Sequence, residues 1–187
     1  TFHVVEASSF QLETTSTFHP WIAVWLNFAD DHLDRHPTVE AYAAAKARIF
    51  ANQTAEDWAV INADDPAVIA RSATAHARKV EFALSGHTAE GFVVDGEWIV
   101  RRTGAGGERL FPIEAVELTG RHMLNNVLAA TAVASIAEVS HRWSNRRCNW
   151  RAPAPPVFTC PSISTRAIRA SRQASARLSR ADSTTVR

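Results

Sequence analysis

The sequence predicts an α/β domain over residues 1–140, a mostly parallel sheet flanked by helices, followed by a disordered basic tail over residues 141–187. Three observations lead there. Short apolar runs alternate with longer stretches of helix formers as far as Ser140, the pattern of a parallel sheet covered by helices. The chain has 187 residues and 46% hydrophobic composition, enough for one domain with a substantial core. Beyond Ser140 the periodicity stops, and Arg, Ser, Ala and Pro take over with no Gly, Glu or Lys.

Phe2–Glu6 reads as the first strand, an apolar run rather than a charged leader, so the chain is expected to begin inside a longer protein. Trp21–Phe28, Trp58–Asn62 and Val80–Ala83 follow as strands, each short and apolar and separated from the next by helical sequence. Gly91–Val94 and Trp98–Arg101 flank Asp95-Gly96, a strong hairpin signal. Helices are expected from about Thr38 to Ala51, Pro66 to Thr74 and His122 to Ala137, each rich in helix formers. Pro37-Thr38 and Asp64-Asp65-Pro66 supply the entries to the first two.

The formal net charge of +1 hides two opposite segments. Residues 1–140 hold 10 Lys/Arg against 18 Asp/Glu, whereas residues 141–187 hold 10 Arg and a single acid, Asp182. Cys148 and Cys160 both fall in the second segment, so no disulfide framework is indicated and a cytoplasmic setting is expected. No stretch has the length and apolarity of a membrane span. The tail has three competing readings: a solvated basic tail, a nucleic-acid-binding arm, or translation in a wrong frame of a GC-rich gene. The abrupt change of character favours the last.

Four stretches carry side chains suited to chemistry. In Glu6-Ala7-Ser8-Ser9-Phe10-Gln11 an acid ends a strand, where open α/β sheets bind ligands. Its carboxylate suits Mg²⁺ and the following hydroxyls and amide suit a polar substrate, although Glu6 capping the next turn would look the same. Asn27–His36 carries three acids and two histidines, a metal loop or a solvated acidic turn. Lys46 sits on an alanine-rich helix, where a lysine is usually a solvated charge. Gly120 leads into a helix whose first turn offers His122, Asn125 and Asn126, groups that can read a purine edge or satisfy the helix start.

Together, in this order, these stretches resemble the Mur ligase family, and within it the members that add D-glutamate. The specific part is Glu6-x-Ser8-Ser9-Phe10-Gln11-Leu12-Glu13, because the sister ligases and folylpolyglutamate synthetases carry different residues after the acid. Leu26-Asn27 with Asp31-His32-Leu33-Asp34-Arg35-His36, the Ala-Ala-Lys46 helix, the Asn62-Ala63-Asp64-Asp65 turn and Gly120-x-His122 are shared more widely. The resemblance covers residues 1–140, most of a central ATP-binding domain. It implies ATP and two Mg²⁺ sites, with Glu6 on one metal and His32 on the other. It also implies that Lys46 is carbamylated by CO₂ and engages the second metal, so that Lys46, His32 and Glu6 form the catalytic set. Ser8 and Gln11 would contact UDP-N-acetylmuramoyl-L-alanine, with Asn126 and His122 at the nucleotide. The amine of D-glutamate would attack an acyl phosphate.

One departure is Met123, which stands where many relatives have asparagine. The family's Gly-Lys-Thr or Gly-Lys-Ser phosphate loop should precede Phe2, and this chain has none. By itself the chain is therefore expected to be inactive, and the full enzyme monomeric with no nucleic-acid partner. The alternative is a noncatalytic nucleotide-binding remnant whose tail binds nucleic acid.

Overall fold

Six strands join in chain order into one mixed sheet: β1 (Ile22–Trp25), β2 (Trp58–Asn62), β3 (Arg78–Ala83), β4 (Gly91–Asp95), β5 (Trp98–Thr103) and β6 (Gly106–Pro112). From β1 to β4 the neighbours are parallel, and from β4 to β6 antiparallel. The expected α/β architecture is the one found. The computed structural model describes residues 2–29, 36–104, 106–116 and 120–148, without the side chains of residues 121 and 139–148. His32 and residues 149–187 lie outside the described residues, and with them most of the tail expected to be disordered.

Period-two alternation decides which side chain meets which helix. Val60, Phe82, Phe92 and Ile99 point to one face and pack on Leu128, Ala129, Ala132 and Ile136 of the long helix α4 (Arg121–Cys148; numbered here as the fourth helix). Ala23, Trp25, Ala59 and Ile61 point to the other face, against Phe50 and Val68. Strand β2 is thus buried on both faces, which is why its sequence is apolar without alternation. Fully burying a side chain such as Val60, Ile99 or Leu128 contributes about 1.5–3 kcal/mol.

Local signals fix the other helices. Helix α1 (Ser9–Thr14) is capped by Ser8, α2 (Val39–Ala47) by Thr38, and α3 (Pro66–Ser72) by Asp65 with Pro66 in its first turn. Helix α2 tightens into a 3-10 turn at Arg48–Phe50, so the helix expected to reach Ala51 has two parts. Helix α4 passes the expected end at Ala137 because its sequence meets no Gly or Pro before Pro153. The hairpin forms as expected: Asp95 pairs with Trp98, and Gly96 takes the positive φ of +59° that a two-residue loop demands.

Two elements escape the sequence patterns. Helix α1 is short, but Ser8-x-x-Gln11 is a capping box and signals it. Strand β6 opens with two glycines and closes with Pro112, tolerable at a sheet edge; a Cβ on Gly107 would meet Val100 Cγ1 at 3.0 Å. The expected strand Phe2–Glu6 is corrected. It pairs with no described strand and has Val4 98% and Val5 66% exposed, with Phe2 stacked on Trp21 at 5.8 Å. Alternating apolar residues make a strand only where a neighbour completes the ladder.

At the amino ends of the parallel strands, buried polar groups tie β1 to β2. Gln53 Nε2 donates to Pro20 O at 3.0 Å and Trp58 O at 2.9 Å. Asp57 accepts from Thr54 N at 2.7 Å and Thr54 Oγ1 at 2.9 Å, and meets His19 Nε2 at 2.6 Å. Burial alone raises the Asp57 pKa, but the bonds from His19 and Thr54 outweigh it and hold the carboxyl below its ordinary 3.8. Among the described residues no helix is long and apolar enough to cross a membrane.

Candidate functional site at the carboxyl ends of the parallel strands

The turn Asn62-Ala63-Asp64-Asp65, at the carboxyl end of β2, laces three strand ends together. Asn62 Nδ2 donates to Leu26 O at 2.8 Å, and Asp65 Oδ2 accepts from Phe28 N at 2.6 Å, fixing the chain that leaves β1. On the other side Asp64 Oδ2 accepts from Leu84 N at 2.6 Å and Ser85 N at 3.1 Å, and Ser85 Oγ also donates to Asp64, fixing the exit of β3. Carboxylates suit this role because each oxygen accepts from several backbone N–H groups at once. This crossbeam frames the end of the sheet where an open α/β fold gathers ligand-binding groups.

Glu6 lies at the surface just ahead of α1 and, among the described residues, makes no hydrogen bond or ion pair. Ser8, not Glu6, caps the helix. Gln11 N donates to Ser8 Oγ at 3.3 Å, while Ser8 N and Ser8 Oγ donate to Gln11 Oε1 at 2.9 and 3.1 Å. The Glu6 carboxylate is thereby left for another partner, and so is the donor end of the Gln11 amide. Helix α1 packs on α2, which carries Lys46 half-buried, its Nζ 5.2 Å from the centre of the Tyr42 ring.

His36 is buried, with Nε2 3.1 Å from Ser9 Oγ, and stacks on Phe10 at 5.5 Å and Tyr42 at 5.3 Å. Sequence reading singles out His32 in this loop, which lies outside the described residues; among those described, His36 packs against the Ser8–Gln11 turn.

His122 and Asn126 stand exposed near the start of α4, on the opposite face of the sheet, and among the described residues no contact joins them to Glu6 or Lys46. Gly120 has φ +101°, and a Cβ there would meet the His122 ring at 3.0 Å, so glycine lets the ring fold back over the helix start. Asn126 Nδ2 lies 4.0 Å from Met123 Sδ, and Asn125 Oδ1 is buried without a hydrogen-bond partner.

The described residues contain no cluster of three His, Cys, Asp or Glu able to hold a metal. Of the expected site residues that are described, Glu6 supplies an oxygen donor of the kind Mg²⁺ prefers. A groove of about 640 Å³ opens elsewhere, at the amino ends of β3 and β4, lined by Lys79, Val80, Phe92, Arg102 and Ile136. It arises because β3 and β4 pair only at Phe82–Phe92 and Ala83–Val93 and splay below. None of the expected site residues lines it, so its size does not make it the site.

An open mixed α/β domain with its polar turns collected at the carboxyl ends of parallel strands is a ligand-crevice domain. Its residues 1–134 match the Mur ligase middle domain, and the chain belongs to the Mur ligase family. It is 45% identical over 139 residues to a UDP-N-acetylmuramoylalanine–D-glutamate ligase of Geobacillus sp. (strain WCH70), covering 74% of this chain and 30% of that protein. The protein of the same name from Acidobacterium capsulatum is 46% identical over 139 residues, covering 73% and 30%. The chain thus spans about 30% of the length of the curated relatives it matches. A crystal structure of MurF from Acinetobacter baumannii shares the fold at TM-score 0.50 and 18% identity, covering 88% of this chain and 38% of that one.

Proposed function

We propose that this chain is the greater part of the middle domain of a ligase that joins D-glutamate to UDP-N-acetylmuramoyl-L-alanine, at the expense of ATP, in cytoplasmic peptidoglycan synthesis. The observation that carries this is the 45% identity over 139 residues to a protein named for that activity. In the reaction the ATP γ-phosphate passes to the L-alanine carboxylate, ADP leaves, and the D-glutamate amine attacks the acyl phosphate. Phosphate then departs, the amine loses a proton and an amide bond remains. Glu6 would hold one Mg²⁺ and His32 a second, and these ions would supply charge neutralisation for phosphoryl transfer. Ser8 and Gln11 orient the muramyl substrate, and Asn126 and His122 face the nucleotide. Lys46, as a carbamate, would replace a cation with an oxygen donor for the second metal. The exposed, unpartnered Glu6 carboxylate and the half-buried Lys46 on the adjoining helix support these roles.

The test is a chimera in which residues 1–134 replace the matching segment of the Geobacillus relative. Supplied with ATP, UDP-N-acetylmuramoyl-L-alanine and D-glutamate, it should release phosphate only when all three are present. A chimera that melts cooperatively yet releases none would sink the proposal. The chain alone, without a phosphate loop, should be inactive. With ¹³C-labelled bicarbonate it should show a carbamate carbon resonance that Lys46→Ala lacks.

A further inference from the structure

Helix α1 has six residues, about 9 Å of helix, far below the length at which a helix holds itself together in water. Its geometry depends on what grips it. At its carboxyl end Arg48 Nε donates to Leu12 O at 2.9 Å, and a second guanidinium nitrogen donates to Thr15 O. Arg48 follows directly on α2, so this grip ties the end of α1 to the end of α2. One grip leaves a short rod free to pivot. The second is at the amino end, where His36 meets the Ser9 hydroxyl at 3.1 Å.

The His36 ring also fills the space between Phe10 of α1 and Tyr42 of α2, stacked on the first at 15° and tilted on the second at 41°. His36, Ser9 and Tyr42 are 2%, 3% and 4% exposed, so water does not replace the Ser9 bond when it is lost. Ser9 lies between Ser8 and Gln11, and Tyr42 lies one helical turn before Lys46. The two grips therefore fix the Ser8–Gln11 turn against the helix that carries Lys46.

We propose that His36 is a positioning residue: through Ser9 and the Phe10–Tyr42 stack it holds the Ser8–Gln11 turn at a fixed distance and angle from Lys46. This rests on the proposed function for the meaning of that spacing. The grip itself is a property of the chain.

The test is amide hydrogen exchange, by NMR, on the full chain, three single variants and the His36→Phe, Ser9→Ala double variant. His36→Phe keeps a flat ring but removes the bond, Ser9→Ala removes only the hydroxyl, and His36→Gln can restore a hydrogen-bonding group at the position of Nε2. In His36→Phe and in Ser9→Ala, exchange at Gln11 and Leu12 should quicken by about 2- to 12-fold, the range one neutral hydrogen bond is worth. Val60 and Phe82 in the sheet should hold their wild-type rates. The double variant should be no faster than either single one, and His36→Gln should recover most of the protection. Unchanged exchange at Gln11 and Leu12 overturns the proposal. So does an equal quickening at Val60 and Phe82, which would make His36 a core filler. Should Ser9→Ala alone fold, its exchange rates decide the matter. The carbamate resonance of the wild-type chain is read separately, so a failed functional assignment is told apart from a failed grip.

Discussion

Asp65 offers a perturbation whose parts can be separated by chemistry. Its Oδ1 accepts from Ala67 N at 3.0 Å and Val68 N at 3.2 Å, capping α3, while its Oδ2 accepts from Phe28 N at 2.6 Å and so holds the chain that leaves β1. Asp65→Ala removes all three bonds. Loss of an N-cap costs about 0.5–2 kcal/mol, and leaving a partly buried N–H without its acceptor costs about 1–3 kcal/mol. The alanine variant should therefore lose about 1.5–5 kcal/mol, the two costs falling on different elements. Asp65→Asn keeps a capping carbonyl but turns an amide NH₂ toward Phe28 N–H, so it should lose only the second part, about 1–3 kcal/mol. Equilibrium urea denaturation of the chain measures both, with the slope checked for constancy. Amide exchange should then show Phe28 released in both variants, and Ala67 and Val68 released only in the alanine one. If the asparagine variant matched wild type, or matched alanine at every amide, the crossbeam reading of this turn would be wrong.

Two further outcomes follow from the same geometry. Gly120→Ala places a Cβ 3.0 Å from the His122 ring at φ +101°, a conformation costing a side-chain-bearing residue about 1–3 kcal/mol, and the loss should appear in the same denaturation assay with the His122 ring signals displaced in NMR spectra. Asp57 has a folded pKa held below its unfolded value, so its stabilisation is complete above about pH 4 and is lost as pH falls through the lower folded value. Asp57→Asn should flatten the dependence of stability on pH in that acidic range, and an unaltered acid profile would remove Asp57 as its source.

Which elements the sequence discloses follows from how each one is stabilised. Strand β2 and the cap of α3 are legible because their signals are local: a run of apolar residues, an Asp before a Pro. Strand β6 is obscure because an edge strand can carry glycines, charges and a proline that would be costly in the sheet's centre. The Phe2–Glu6 run misleads for the converse reason, since a strand pattern states a preference that only a neighbouring strand fulfils. At the site, residue types point to Glu6, His32 and Lys46, and to Ser8 and Gln11. The Ser8-x-x-Gln11 capping box marks the grip between those two, but nothing local discloses that His36 packs against Ser9 from 27 positions away.

These ties determine where the protein is weak. The sheet core is held by many overlapping apolar contacts, and its opening costs something near the whole free energy of folding. The turn at Ser8–Gln11, the exit of β1 at Phe28 and the start of α4 at Gly120 each depend instead on one or two hydrogen bonds or on one backbone conformation. A bond worth about 1 kcal/mol changes a local opening equilibrium roughly fivefold while leaving the core untouched. Substitutions at Ser9 or His36 should accordingly loosen the site well before they unfold the domain. That ordering distinguishes these residues from Phe82 or Leu128, where loss of packing lowers global stability first.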